Sequence, residues 1–231
     1  MNELLEKMKM NLEIAGFSPK TQNDYMRHVK LFQKHFDKHL EHMGYDEVRE
    51  FLHHAITKRK LSCSYVNQAY SAVRFFYETI LGWNWNMKQV PRVKREKTLP
   101  AVLSLNEVKA IFNVTKNIKH RAILMTTYAA GLRVGEVANL KIYDIDSKNM
   151  QILIKLGKGK KDRYSLLSPA NLSILRQYWK LYHPAYWLFP GNPSDKHISI
   201  RTIQQIFYDA KVLAGIQKNV SIHSLFRHSP A

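Results

Sequence analysis

A chain of 231 residues with 45% hydrophobic side chains has room for one large domain or two small ones and can fill ordinary cores. Its 36 Lys and Arg outnumber 18 Asp and Glu, and the formal charge of +18 points to a polyanionic partner. Cys63, the one cysteine, excludes an intramolecular disulfide, and no apolar run reaches the roughly 18 residues that a membrane helix needs.

The charge is lopsided. Up to residue 91 the chain carries 13 basic and 10 acidic side chains; from residue 92 onward it carries 23 and 8. The second part should therefore carry most of the contact with the polyanion. The histidines have no zinc-ligand spacing, so no zinc site is expected. The acidic start, Met1 to Lys7, does not resemble a signal peptide, and the expectation is a soluble cytoplasmic protein.

Taken in order, the first part reads as helix. Leu4, Leu5, Met8 and Leu12 form an amphipathic stripe that stops at Gly16. Ser18 and Pro19 supply an N-cap and a first-turn proline, followed by Tyr25, Val29, Phe32 and Phe36 on one face. Asp46 can cap a third helix with Val48, Phe51, Leu52, Ala55 and Ile56 inward. Ser62 or Ser64 can cap a fourth, which carries Val66, Ala69, Tyr70, Val73, Phe76 and Ile80 and ends at Leu81-Gly82. Four such helices with short links predict a small bundle over residues 1–83, its aromatic stripe serving as core. Lys20 and Arg27 lie on the polar faces, where they suit phosphates and plain solvation equally well.

Residues 84–100 have no period, two prolines and five basic side chains, among them Lys94 and Arg95. They read as an extended basic linker, lying along a DNA backbone or simply solvated. The second domain, 101–231, opens on a capping box, Ser104 with Glu107, and Asn117 or Lys119 starts the next helix. Past Leu140 the period becomes two. Ile142 to Ile145, Gln151 to Ile154 and Arg163 to Leu167 predict three short strands. Ser168-Pro169 then caps a helix with Leu172, Leu175, Tyr178 and Trp179 inward. Ser199 caps another, with Arg201 in its first turn and Ile203, Ile206, Phe207 and Val212 inward, closed by Gly215.

Three stretches in this second part carry chemistry. In Gly131-Leu132-Arg133-Val134-Gly135-Glu136 a helix stop, an arginine and a helix restart hold one guanidinium on a rigid corner. That fork of donors suits a phosphate, and pairing with Glu136 on a solvated turn suits it equally. Gly157-Lys158-Gly159-Lys160-Lys161-Asp162-Arg163 places cations on a hairpin tip, without the spacing of a nucleotide-binding loop. His223-Ser224-Leu225-Phe226-Arg227-His228 lies close to Ala231.

In this order the three stretches resemble the boxes of the tyrosine recombinases, the phage-integrase family of DNA breaking and rejoining enzymes. Ser18-Pro19-Lys20-Thr21 with Tyr25 is similar to the opening of that family's core-binding domain. The resemblance implies a mostly α fold with a small antiparallel sheet: a four-helix, SAM-like core-binding domain plus a mixed α+β catalytic domain. It implies that Arg133 and Arg227 neutralise a scissile phosphate, that His223 handles protons and that Lys158 protonates the leaving 5′-oxygen. Lys20, Arg27, Lys94, Arg95, Lys160, Lys161, Arg163 and Arg201 would contact double-stranded DNA.

The second box departs from the family's H-x-L-R pattern, because Phe226 is an extra residue between Leu225 and Arg227 and Pro230 replaces a phenylalanine. The family's nucleophilic tyrosine comes after this box, and all 12 tyrosines here lie before it. The expectation is a chain that binds DNA, lacks the tyrosine for a 3′-phosphotyrosyl link, and stays monomeric where intact relatives form tetramers on DNA. A non-catalytic DNA-binding protein is the rival reading. A general RNA-binding protein is weaker, since no RNA-recognition motif is present.

Overall fold

The computed structural model describes residues 2–94, 101–155 and 162–226, and it divides into two compact units, Met1–Thr98 and Leu99–Ala231. The predicted fold class holds: the chain is mostly helical with one small antiparallel sheet.

In the first unit α1 (Asn2–Ile14), α2 (Pro19–Phe36), α3 (Tyr45–Thr57) and α4 (Cys63–Phe75) pack around one core. Ser18 Oγ accepts the Thr21 N–H at 3.2 Å and Pro19 takes the first helical position, so α2 starts where the sequence says. Ser62, not Ser64, caps α4, its oxygen 3.3 Å from the Tyr65 N–H. The α3 cap differs from expectation. Gly44 precedes the helix and Glu47 reaches back to its N–H at 2.8 Å, which puts Asp46 inside the first turn, paired with Arg49. Ile56, expected inward, is exposed. After α4 the backbone widens into one π turn, Phe76–Ile80. Met8, Leu12, Val29, Phe32, Val48, Val66, Val73, Phe76 and Tyr77 fill the core, and the Tyr77 hydroxyl bridges the Leu40 and Met43 carbonyls at 3.1 and 3.0 Å.

Residues 84–94 lack regular structure, as their composition predicts, yet they pack on this unit instead of standing off it as a tether. Trp85 is 7% exposed and its indole N–H donates to the Tyr70 hydroxyl at 3.0 Å. Val90 is buried, and the Asn67 amide brackets the Val93 backbone with two hydrogen bonds of 3.0 and 3.2 Å. Two large apolar side chains outweigh the polar composition that reads as linker.

The second unit is built from α5 (Leu105–Val114), α6 (Ile118–Ala129), α7 (Val134–Ala138), β1 (Ile145–Asp146), β2 (Gln151–Ile154), β3 (Arg163–Leu166), α8 (Pro169–Tyr182), α9 (Ile200–Leu213) and α10 (His223–Phe226). The capping box forms as written, with Ser104 Oγ taking the Glu107 N–H and Glu107 taking the Ser104 N–H. Asn117, not Lys119, caps α6. The strands pair antiparallel in the order β1-β2-β3, with Ile145 opposite Ile152 and Ile154 opposite Arg163. Ile152 and Ile154 alternate into the core formed with α6 and α8.

The first predicted strand is shorter than its period suggests. Asp144 takes the Lys141 N–H at 2.9 Å, which curls Ile142–Asp144 into a 3₁₀ turn and delays pairing to Ile145. On α8 Tyr178 is fully buried as expected, whereas Trp179 is 48% exposed; on α9 Ile203, Ile206 and Phe207 are buried and Val212 is not. Both exceptions sit at the margin of an inward stripe, where one residue of helix rotates a side chain about 100°.

Candidate nucleic-acid interface

The arginine corner is set by its backbone. Helix α6 ends at Ala129, Gly131 takes a left-handed conformation at φ 57°, and the Leu132 N–H returns to the Thr127 carbonyl at 3.1 Å. A residue with a Cβ would resist that φ. Arg133 is then extended and opens α7.

Glu136, three residues on, is the hub of the corner. Its side chain is 8% exposed and receives the Arg133 backbone N–H at 2.8 Å, the Arg133 guanidinium at 2.9 Å and a bidentate fork from Arg163 at 2.9 and 2.8 Å. Burial alone would raise its pKa, but the Arg163 fork and the two Arg133 donors outweigh it and hold the carboxyl near 2. Both readings of Arg133 thus meet in one arrangement: it pairs with Glu136, and it remains 43% exposed. Arg163 gives its fork to Glu136; β3 reaches back to α7 and ties the corner to the sheet.

Arg133, Glu136, Lys141, Asp144, Lys155, Trp187 and His223 are among the residues lining one cleft of about 900 Å³. The structure therefore brings together Arg133 and His223, which are 90 positions apart in sequence. Lys158, Arg227, Arg95, Lys160 and Lys161 lie outside the described residues. Lys20 and Arg27 on α2, Lys94, and Arg201 on α9 are all exposed; Arg27 pairs with Asp24 at 3.2 Å.

Sequence reasoning missed four of the cleft's residues. Asp144 is buried, taking the Lys141 N–H on one oxygen and facing the Lys155 ammonium at 3.4 Å on the other. The Lys141 ammonium stands over Tyr186, Trp187 and Tyr143 at 4.7, 5.3 and 5.5 Å from the ring centres. The Tyr143 and Tyr186 hydroxyls raise its pKa further above the ordinary lysine value. The signal for Asp144 was its spacing from Lys141, the same three-residue reach-back that marks helix starts. Trp187 and Lys155 carried none, since the contacts are made across the fold. Among the described residues no group of three or more His, Cys, Asp or Glu could hold a metal, and no helix is long and apolar enough to cross a membrane.

Residues 101–231 match the phage integrase family, and residues 4–87 match the phage integrase N-terminal SAM-like domain. A putative integrase/recombinase of Sinorhizobium fredii is 38% identical over 99% of this chain and 74% of its own length. The tyrosine recombinase XerA of Pyrococcus horikoshii is 29% identical over 99% of the chain and 78% of its own. Among solved structures, a lambda integrase dimer bound to a COC′ core site superposes with a TM-score of 0.79, covering 99% of this chain and 88% of that one. At 17% identity that likeness speaks for the fold alone. A XerA recombinase crystal structure matches with a TM-score of 0.52 at 27% identity, over 97% and 81% of the two chains.

Proposed function

We propose, for a chain that belongs to the phage integrase family of tyrosine recombinases, that its second unit grips a phosphodiester of double-stranded DNA in the Arg133 cleft. The observation that carries this reading is the placement of Arg133 and His223 on one cleft wall system, with Glu136 fixing the arginine corner. An arginine aimed before the substrate arrives stabilises charge on phosphate oxygens without reorganising. His223 is assigned proton handling beside it. Lys158 and Arg227 take, by their place in the family's motif order, the leaving-oxygen proton and the second phosphate fork. Lys20, Arg27, Lys94 and Arg201 are exposed cations suited to flanking phosphates, as Arg95, Lys160 and Lys161 are by sequence. The protein would work in the cytoplasm without a metal or nucleotide, and the polypeptide of residues 1–231 would bind DNA as a monomer.

Cleavage needs a tyrosine hydroxyl at the phosphorus, and no tyrosine is among the described residues lining the cleft. Tyr178 is buried, and burial raises its pKa away from use as a nucleophile. The polypeptide of residues 1–231 is therefore expected to bind duplex DNA and to leave it intact, which is the non-catalytic reading of the same cleft. A nicked suicide duplex tests this. Salt-sensitive binding without a covalent adduct is expected, and R133Q should weaken the binding. A stable adduct would overturn the inactive reading, above all one mapped to Tyr186, whose ionisation Lys141 favours. Absence of duplex binding would overturn the DNA reading.

A further inference from the structure

The cleft holds two cations that the family's motif order does not employ, Lys141 and Lys155, and Lys155 faces Asp144. Lys141 lines the same walls as Arg133 and His223. Its backbone is fixed: its N–H goes to Asp144, the next N–H goes to the Tyr186 carbonyl at 3.1 Å, and Lys141 bridges Trp187 antiparallel. Its ammonium is fixed as well, by the faces of Tyr143, Tyr186 and Trp187.

The cleft's carboxylates are already matched. Glu136 is held by Arg133 and Arg163, and Asp144 faces Lys155. Among the described residues no carboxylate lies within ion-pair distance of Lys141. Aromatic faces attract a cation through their quadrupole and leave its charge intact. An ammonium held that way is immobilised yet not neutralised, so an arriving anion meets no competitor and little rotamer entropy is left to lose.

We propose that Lys141 is a DNA-phosphate contact of this cleft, its ammonium set in place by the three rings before the duplex arrives. The proposal rests on the reading of the cleft as a duplex-DNA site. It adds a binding residue outside the arginine, lysine and histidine boxes, and it assigns the exposed Tyr143–Tyr186 pair the task of aiming that residue. The raised pKa keeps Lys141 charged throughout the physiological range, which suits a permanent electrostatic contact and not a proton donor.

The test is a fluorescence-anisotropy titration of a random-sequence duplex of about 30 base pairs, from roughly 50 to 300 mM salt. The intact 231-residue chain is compared with K141Q, K141R, Y186L and R133Q, and each unfolding midpoint is measured. Losing one phosphate contact should flatten the slope of log affinity against log salt by about 0.9 in K141Q. K141R should keep the parental slope. Y186L should keep the slope with affinity lowered several-fold at every salt concentration. A parental slope in K141Q, with R133Q flattened, overturns the proposal and leaves the DNA reading standing. So does an equal loss of slope in K141Q and K141R accompanied by a fall in midpoint, since that marks a folding role. A parent chain without salt-dependent binding overturns the DNA reading itself, and this proposal with it.

Discussion

Replacing Glu136 with Gln should unbuild the arginine corner more than any other single change in the second unit. The carboxylate is 8% exposed and collects four donor contacts from Arg133 and Arg163. Its pKa stands near 2 in the fold against an ordinary 4.5. At roughly 1.36 kcal/mol per pH unit, that gap corresponds to about 3 kcal/mol of stability. Because the folded value is the lower one, this contribution is fully present above about pH 4.5 and drains away as the pH falls toward 2. Glutamine keeps one acceptor for the Arg133 N–H but loses the charge, leaving two guanidiniums close together with no anion between them. Calorimetry of the intact chain at pH 7 should show the second unit destabilised by about 2–4 kcal/mol in E136Q. The difference from the parent should shrink steadily between pH 5 and 2.5. A loss below roughly 0.5 kcal/mol at neutrality, or a difference that ignores acidification, would refute the reasoning that Glu136 is the buried hub.

Two further outcomes concern the first unit. Trp85→Ala should lower its stability by about 3–5 kcal/mol, because the indole is nearly buried and bonded to Tyr70; a change within roughly 0.5 kcal/mol in urea denaturation would mean that residues 84–94 are a tether after all. His28 is buried, with neither ring nitrogen hydrogen-bonded among the described residues, and burial aided by the Arg27 charge pushes its pKa below the ordinary 6.5. Protonation thus favours unfolding, so the parent should lose stability as the pH drops through 6.5, and His28→Leu should show a flatter profile between pH 7.5 and 5.5.

How much of this could be seen in the sequence depended on range. Ser18-Pro19, Ser62, Ser104 with Glu107, Asn117 and Gly131 each act on backbone groups within a few residues, and the helices they bound were legible, although Ser62 and Asn117 were each one of two candidate starts. Gly44 and Asp46 show the limit, since two polar-compatible starts two residues apart differ only in which one Glu47 reaches. The arginine corner was legible too, but only as an ambiguity between phosphate and Glu136. The Arg163 fork that completes the Glu136 contacts arrives from 27 positions away, across a strand pairing that a period-two pattern does not register. Lys141 and its rings were hidden for the same reason: Tyr186 and Trp187 come to it through a bridge between distant segments. Trp85 misled by its neighbours, because the lysines, asparagines and prolines around it read as solvent-facing while its own ring is buried.

The most direct test of the central claim follows the arginine Nε–H resonances by NMR while duplex DNA is titrated in, with R133Q and R163Q identifying the two signals. The Arg133 signal should move and saturate with the duplex, while that of Arg163, held by Glu136, stays nearly still. A saturating duplex that leaves Arg133 unmoved would contradict the account.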